Sequence, residues 1–329
     1  MSPPATLRRW GPALTRVAFG LGGLALLMVM VHRAGPRAIL DVLRPAWRWV
    51  PVALFLEALR IGSETLATYY AYGRRRRLLP TGMLVRAHLV AYAVGNVMPA
   101  GRSAGEAAKV AMLARYAGMP AATAAAATNQ AVTLIAGGLV SIPCAVGAWQ
   151  LTGASVVTVA LLVHAVVLVA LGLGIRVIAR TPAVGARLSR YASRYAIGLA
   201  AFHEASRDVE LLPAGPMAAM LVGRVLQIAI YAVLALAVGI DLSIARVLYA
   251  QGINMIALAV GVFVPGQLGA SDGAFALSAG PLGASVAAAM SIALLAHVLQ
   301  IVWIGVGSLA LLLWTKKRPA SSRRPGESA

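Results

Sequence analysis

Long apolar runs separated by short clusters of basic residues form the main pattern along this chain. Each run is about 20 residues or longer, which is the length that an α-helix needs to cross a bilayer. The runs predict transmembrane helices at Pro12–His32, Val50–Tyr72, Ala121–Trp149, Val156–Ile175, Met217–Val238 and Ala284–Trp314. The chain is therefore predicted to be an all-α polytopic membrane protein, since the strands of a transmembrane β-barrel would be shorter and alternating.

Two further apolar segments are interrupted by polar residues. The first runs over Gly82–Met98, breaks at Pro99–Glu106 and resumes over Ala107–Tyr116, a piece too short to span a bilayer. The second consists of Ile244–Val264 and Gly273–Ala279 on either side of a similar break. We predict that each forms a broken, re-entrant helical hairpin, because non-helical backbone at membrane depth needs protein or water around it.

The two breaks repeat one pattern at a spacing of 166 residues. In each copy a glycine is followed by a proline and then by an acid, with further glycines nearby. The positions are Gly95, Pro99, Gly101, Gly105 and Glu106 in the first copy, and Gly261, Pro265, Gly266, Gly269 and Asp272 in the second. Matching interruptions in two halves of a polytopic chain are typical of a transporter's binding site.

Basic clusters set the predicted topology. Arg74–Arg77 follow one span and Lys316–Arg318 follow the last, so both ends are predicted to be cytoplasmic. The N-terminus and the C-terminus are then both on the cytoplasmic side of a bacterial inner membrane. On this count the first hairpin opens from inside and the second from outside, which predicts two repeats of inverted topology.

These elements divide the chain into five parts. They are an N-terminal transmembrane helix with an interfacial segment (1–49), the first repeat (50–149), a transmembrane helix with a cytoplasmic amphipathic linker (150–215), the second repeat (216–314) and a disordered basic tail (315–329). The interfacial helix is expected within Arg33–Trp49 and the amphipathic helix within Ala183–Val209.

The composition agrees with a polytopic membrane protein and argues against several other kinds of function. Hydrophobic residues make up 60% of the chain and charged residues 12%, although the net charge is +19. Most basic residues lie at the ends of apolar runs, where they indicate topology and contacts with anionic lipid, so no nucleic-acid partner is predicted. The single cysteine, Cys144, excludes an intrachain disulfide, and no motif predicts a metal or a cofactor.

Charged residues inside the predicted membrane segments are candidates for function, because an unpaired charge at mid-bilayer costs roughly 2.5 kcal/mol or more. Glu57, Arg60 and Glu64 are spaced so that they share one helix face. Two interpretations stay open. The three residues form a salt-bridged stripe between helices, or they form a groove wall in which Arg60 holds a phosphate.

The first break carries the densest polar chemistry. Gly101 and Gly105 would let the backbone approach a ligand, and Arg102 and Lys109 supply positive charge around Glu106. This arrangement suits a phosphodiester headgroup. The alternative is a structural one, in which Ser103 caps a helix and Glu106 lies one turn inside it.

The second break lacks the cations. Gln267, Ser271 and Asp272 are polar without being basic, so this copy is predicted to serve gating or to supply a counter-charge. Two polar pairs on flanking helices are candidates for the same cavity, namely Arg224 with Gln227 and His297 with Gln300. For His297 and His164 the two interpretations are helix packing, which is favoured, and a proton relay, and His88 near Arg86 is similarly ambiguous.

Both breaks resemble motifs of the flippase-like transmembrane family typified by the membrane domain of lysylphosphatidylglycerol synthases. The matching residues are Asn96, Pro99, Arg102, Gly105, Glu106 and Lys109 in the first motif, and Pro265, Gly266, Gly269 and Asp272 in the second, where aspartate stands in place of glutamate. The resemblance implies translocation of a polar-headed lipid. The soluble aminoacyltransferase region of the synthases has no counterpart in this sequence, so synthesis of lysyl-lipid is not expected.

The leading hypothesis is therefore a lipid flippase without enzymatic activity, whose substrate is an anionic or phosphate-bearing membrane lipid. The predicted substrate-binding residues are Glu57, Arg60, Glu64, Arg102, Glu106, Lys109, Arg224 and Asp272. Among them, Arg102 and Lys109 are assigned to the phosphate, and Glu106 and Asp272 to ligand orientation or proton exchange. An intramembrane transferase with one of these carboxylates as general base is the alternative, and a non-transporting scaffold is a third. Cargo and oligomeric state stay open.

Overall fold

The computed structural model describes residues 27–98, 101–183, 196–261, 264 and 267–315, and this part of the chain contains helices and turns but no β-strand. The helices are α1 Pro36–Ala46, α2 Val50–Ala71, α3 Thr81–Val97, α4 Gly101–Ala117, α5 Met119–Thr152, α6 Val156–Arg180, α7 Ala196–Arg207, α8 Ala214–Ala237, α9 Ile244–Val260, α10 Ala270–Leu277, α11 Ala279–Leu282 and α12 Val286–Thr315. Short 3₁₀ turns lie at Trp47–Trp49 and Gly73–Leu78.

Four of these helices, α5, α6, α8 and α12, are long and apolar enough to cross a membrane. The prediction of an all-α polytopic membrane protein is confirmed by these helices. α2 has 22 residues and is long enough to cross a membrane, but it differs from these four helices because it carries three charged residues, Glu57, Arg60 and Glu64. Most of the predicted first span, Pro12–His32, and nearly all of the basic tail lie outside the described residues.

Helix boundaries follow local chemistry. α5 begins after Gly118, whose φ of +85° suits glycine, and ends before Gly153, whose φ is +63°. The next helix, α6, is capped by Ser155, whose hydroxyl accepts a hydrogen bond from the Thr158 backbone N–H at 3.3 Å. These signals divide one continuous apolar stretch into two helices that pack against each other along their length.

Helices of the first half (α2 to α5) pack against helices of the second half (α8 to α12). α2 of the first half packs against α8 of the second, α5 packs against α9, and α12 packs against α3. Glycines allow the closest of these approaches: a Cβ atom on Gly307 of α12 would lie 2.2 Å from the Leu89 carbonyl oxygen of α3. Such reciprocal packing is what a pseudo-two-fold axis between the halves would produce. The inverted topology itself stays a prediction.

Both breaks are shorter than predicted. α4 begins at Gly101 and already contains Glu106, while α10 begins at Ala270 and contains Asp272. Pro99, Pro265 and Gly266 lie outside the described residues. Because α3 and α4 have 17 residues each, each is roughly 25 Å long and short of a bilayer core of about 30 Å. The re-entrant path of this pair stays a prediction.

The glycines of the first break serve helix packing. A Cβ atom on Gly101 would lie 1.6 Å from the Gly95 carbonyl oxygen, and one on Gly105 would lie 2.7 Å from the Ala91 carbonyl oxygen. The backbone of α4 therefore lies against the backbone of α3. The expectation that Gly101 and Gly105 also bring the backbone close to a ligand stays a prediction.

Arg176, near the C-terminal end of α6, holds a neighbouring segment of the chain in place. Its side chain is fully buried and donates from Nε to the Leu211 carbonyl at 3.1 Å, from Nη2 to the Val209 carbonyl at 3.1 Å, and from Nη1 to Thr128 Oγ1 at 2.6 Å. It thereby fixes the segment between α7 and α8.

Two shorter helices were also predicted from the sequence. A helix does form in the predicted linker, as Ala196–Arg207, and another forms in the predicted interfacial segment, as Pro36–Ala46.

Candidate functional site

A cavity of about 710 Å³ lies between the two halves. Its wall includes residues from the first half on α2 to α5, from α6, and from the second half on α8, α9, α10 and α12. Seven of the eight predicted substrate-binding residues line it: Glu57, Arg60, Glu64, Arg102, Glu106, Lys109 and Arg224. The eighth, Asp272, lies behind the wall and contacts His297, which does line the cavity. The sequence prediction thus selected side chains that the fold brings together.

On α2, the three charged residues form one ion-paired stripe. Arg60 donates to both oxygens of Glu57, from Nε at 2.8 Å and from Nη2 at 2.6 Å, and its Nη1 donates to Glu64. Tyr92 Oη also donates to Glu57 at 3.1 Å, and His88 Nε2 lies 3.6 Å from Glu64 Oε2. All three guanidinium nitrogens of Arg60 are thus engaged. The geometry favours the salt-bridged stripe over Arg60 as a phosphate ligand, and the stripe forms part of the cavity wall.

Glu106 and Lys109 neutralise each other. Lys109 Nζ lies 2.7 Å from Glu106 Oε1, and Asn129 Nδ2 of α5 donates to the same oxygen at 2.7 Å. Lys109 is only 5% exposed and also reaches Thr68 Oγ1 at 3.4 Å. The alternative of a Ser103 cap is wrong, because α4 starts at Gly101 and Ser103 lies within its first turn.

Arg102 and Arg224 differ from the other cations of the cavity. Arg102 Nη2 donates to Thr133 Oγ1 at 2.9 Å, and Arg224 Nη1 donates to Gln227 Oε1 at 2.9 Å. In the described part of the chain neither has a carboxylate within 4.0 Å, whereas Arg60 and Lys109 do. Among the described residues, four cationic and three carboxylate side chains line the cavity. The cavity therefore carries an excess of positive charge.

Asp272 connects the second break to the long helix that follows it. The carboxylate is fully buried, and its Oδ2 accepts from the Gly269 backbone N–H at 2.9 Å and lies 3.1 Å from His297 Nε2. Gly269 has a φ of +80°, so the helix start needs both glycine and this carboxylate. The first copy is similar, because Glu106 also contacts a polar residue of the next long helix.

The Asp272 cluster also reaches the first break. His297 Nδ1 lies 3.4 Å from Gln300 Oε1, and Gln300 Nε2 donates to Asn96 Oδ1 of α3 at 2.7 Å. Ser271 Oγ lies 3.3 Å from His297 Nε2, the same nitrogen that faces Asp272. A nucleophile, base and orienting acid would use both ring nitrogens, so these three residues are not arranged as a catalytic triad.

Six further polar residues of the cavity wall are not singled out by the sequence pattern. They are Tyr92, Asn129, Gln130, Thr133, Tyr231 and Asn254. A signal was present for two of them, since Asn129-Gln130 interrupts an otherwise apolar run. His164 lines the cavity, and its Nδ1 lies 2.8 Å from Ser141 Oγ of α5, which is a contact between two packed helices.

We expect Asp272→Ala to lower the free energy of unfolding by about 1 to 2 kcal/mol, since it removes the acceptor for the Gly269 N–H and the partner of His297. Asp272→Asn keeps an acceptor oxygen and should lose less. Unfolding of the purified protein in detergent, followed by circular dichroism, measures both. Equal stability of Asp272→Ala and wild type would show that this carboxylate does not hold the helix start.

Within the described residues no group of three His, Cys, Asp or Glu side chains is placed to hold a metal ion. The family model described as lysylphosphatidylglycerol synthase TM region matches residues 14–307 of the chain. Comparisons with curated proteins and with solved structures give no match.

Proposed function

We propose, on the premise that this chain belongs to the lysylphosphatidylglycerol synthase transmembrane family, that it is a flippase for an anionic lipid. The substrate is a polar-headed phospholipid or a lipid-linked intermediate, moved across the bacterial cytoplasmic membrane. The observation that carries the proposal is the charged cavity between the two halves of an apolar helix bundle.

The charges of the cavity need an explanation in a membrane protein. Each charged side chain near the bilayer centre costs roughly 2.5 kcal/mol or more, so such residues mark pathways or binding sites. Seven charged side chains line one cavity between the helices of this apolar bundle. The wall itself carries more cations than carboxylates among the described residues, and the further carboxylate, Asp272, lies behind His297. An anionic headgroup would supply the missing negative charge.

The size of the cavity suits a headgroup alone. A volume of about 710 Å³ falls within the roughly 300 to 1,000 Å³ of sites for small ligands. Two acyl chains would not fit beside a headgroup in that space. The proposed cargo therefore places its headgroup among the charged residues and leaves its tails in the bilayer.

The packing of the halves supports alternating access. α5 and α12 each contact a helix of the opposite half, and the Gln300–Asn96 hydrogen bond joins α12 to the end of α3. A rocking motion about these contacts would open the cavity to one side and then to the other, as in transporters built from inverted repeats.

Reconstitution into liposomes tests the proposal. Vesicles containing a fluorescent phosphatidylglycerol are compared with vesicles containing a fluorescent phosphatidylcholine, and transbilayer movement is followed by quenching of the outer leaflet. We expect wild type to move the anionic lipid, and Glu106→Gln, Asp272→Asn and Arg102→Ala each to slow it by about tenfold or more, because each disturbs a charge of the cavity or its support.

Arg246→Gln is the matched control, since Arg246 does not line the cavity and donates to the Asp241 carbonyl. Movement at the same rate in wild type, in the variants and in protein-free vesicles would refute the flippase. Mass spectrometry of the recovered lipid distinguishes the alternatives: a chemically altered lipid indicates an intramembrane transferase, and unaltered lipid without movement indicates a scaffold.

A further inference from the structure

We infer that Arg102 and Arg224 together form a phosphate-binding subsite that joins the two halves of the protein. Arg102 lies on α4 of the first half and Arg224 on α8 of the second. The inference rests on the proposed function and gives it a chemical substrate class, a phosphate ester. It also differs from the sequence prediction, which assigned the phosphate to Arg102 and Lys109.

Arg102 and Arg224 are selected because the other two cations of the cavity are already ion-paired with carboxylates. Arg60 is held by Glu57 and Glu64, and Lys109 is held by Glu106. A ligand phosphate would have to displace those carboxylates from their cations, and the displaced carboxylates would repel it. Arg102 and Arg224 bind only neutral oxygens in the described structure, so they bind an anion without such a displacement.

The two guanidinium groups are placed to share one ligand. Both reach the same face of α5: Arg102 donates to Thr133, and Arg224 Nη2 lies 3.8 Å from the position of a Cβ atom on Gly137. Thr133 and Gly137 are four residues apart, which corresponds to roughly 6 Å along a helix. A phosphate group between them would accept hydrogen bonds of about 2.8 Å from each arginine.

Arg102 and Arg224 bring two like charges to one region, and Glu64 offsets only part of the repulsion that Arg224 experiences. Arg224 Nε is buried and has no hydrogen-bond partner among the described residues, and the same holds for Asn254 Nδ2 in the wall of the same cavity. Buried donors without acceptors are unfavourable, and a phosphate offers several acceptor oxygens together with the missing negative charge.

Glycine at position 137 is part of this arrangement. A Cβ atom there would lie 3.2 Å from Leu168 Cδ1 as well as near Arg224. The Arg224 guanidinium thus lies within van der Waals distance of the α5 surface at Gly137, one helical turn from the Thr133 hydroxyl that Arg102 contacts.

Binding to the purified protein in detergent tests the subsite. The probes are dihexanoyl phosphatidylglycerol, inorganic phosphate and dihexanoylglycerol, which lacks the phosphate, and calorimetry gives the Kd of each. We expect phosphatidylglycerol to bind and dihexanoylglycerol not to bind. Arg102→Gln and Arg224→Gln should each weaken binding by about tenfold or more, and Arg224→Lys by less, because lysine keeps the charge but loses the planar fork.

A second readout separates ligand binding from a structural role. Without ligand, Arg224→Gln is expected to unfold at the same temperature as wild type or above it, because the substitution removes a buried Nε donor that has no acceptor among the described residues, together with the repulsion from Arg102. A structural arginine would instead lose stability on substitution. Arg246→Gln again serves as the control, with unchanged Kd and unchanged unfolding temperature.

The outcomes are distinct. The subsite would be overturned if both glutamine variants bound phosphatidylglycerol with the affinity of wild type. It would also be overturned if ligand-free Arg224→Gln and ligand-free Arg224→Lys both unfolded at a lower temperature than wild type. Binding of inorganic phosphate with the same dependence on both arginines assigns the site to free phosphate, and binding of the lipid alone assigns it to the headgroup. Binding lost in the variants while wild type moves no lipid would refute the flippase but leave the subsite.

Discussion

Replacing Arg60 with methionine is expected to lower the free energy of unfolding by about 3 to 5 kcal/mol, because two largely buried carboxylates lose the cation between them. The Arg60 side chain is 12% exposed, and those of Glu57 and Glu64 are 9% and 14% exposed. Both carboxylates accept hydrogen bonds from its guanidinium group. Methionine has a similar length but leaves the two negative charges facing each other.

Unfolding by denaturant in detergent, followed by circular dichroism, measures this change. Arg60→Lys should lie between wild type and Arg60→Met, since lysine keeps the charge and loses the two-pronged contact with Glu57. Combining Arg60→Met with Glu57→Gln and Glu64→Gln should recover much of the loss, because no buried charge then remains unpaired. Wild-type stability of Arg60→Met alone would show that the stripe contributes nothing to folding.

Gly101→Ala is the second substitution with a large expected effect. Its Cβ atom would lie 1.6 Å from the Gly95 carbonyl oxygen, which is far inside van der Waals contact, and the obstacle is backbone. α4 would have to move away from α3, taking Glu106 and Lys109 with it. We expect a loss of about 3 kcal/mol or more, together with loss of lipid movement.

The control is Gly174→Ala on α6, where a Cβ atom would meet nothing within 4 Å. Alanine there should leave the stability unchanged or raise it by up to about 1 kcal/mol, as in an ordinary helix interior. The yield of monodisperse protein and its denaturant midpoint report both variants. Gly101→Ala with the stability of Gly174→Ala would mean that α3 and α4 do not touch at this point.

Much of the fold was readable from the sequence because its causes are local. Apolar length gave the spans that correspond to α5, α6, α8 and α12, and Gly and Pro gave the approximate places of both breaks. The stripe on α2 was also predictable, since its three members lie on one helix and their spacing alone puts them on one face.

The roles of the residues in the two breaks were harder to predict from the sequence. The polar stretch after Gly95 predicted a long break, but α4 begins at Gly101 because contact with α3 stabilises a helix through residues that are weak helix formers. The contact that Gly101 and Gly105 make with α3 is equally hidden, since nothing in the local sequence shows that another helix lies beside them.

The sequence by itself determined the class of this protein, its family resemblance and the set of charged residues that needed a reason to be in a membrane. Only the tertiary structure decided which charges cancel. Lys109 meets Glu106, Arg60 meets Glu57 and Glu64, and Arg102 and Arg224 meet no carboxylate among the described residues. Hydrophobic length acts along one helix and is visible in the chain, whereas the balance of charge depends on distances between helices that only packing sets.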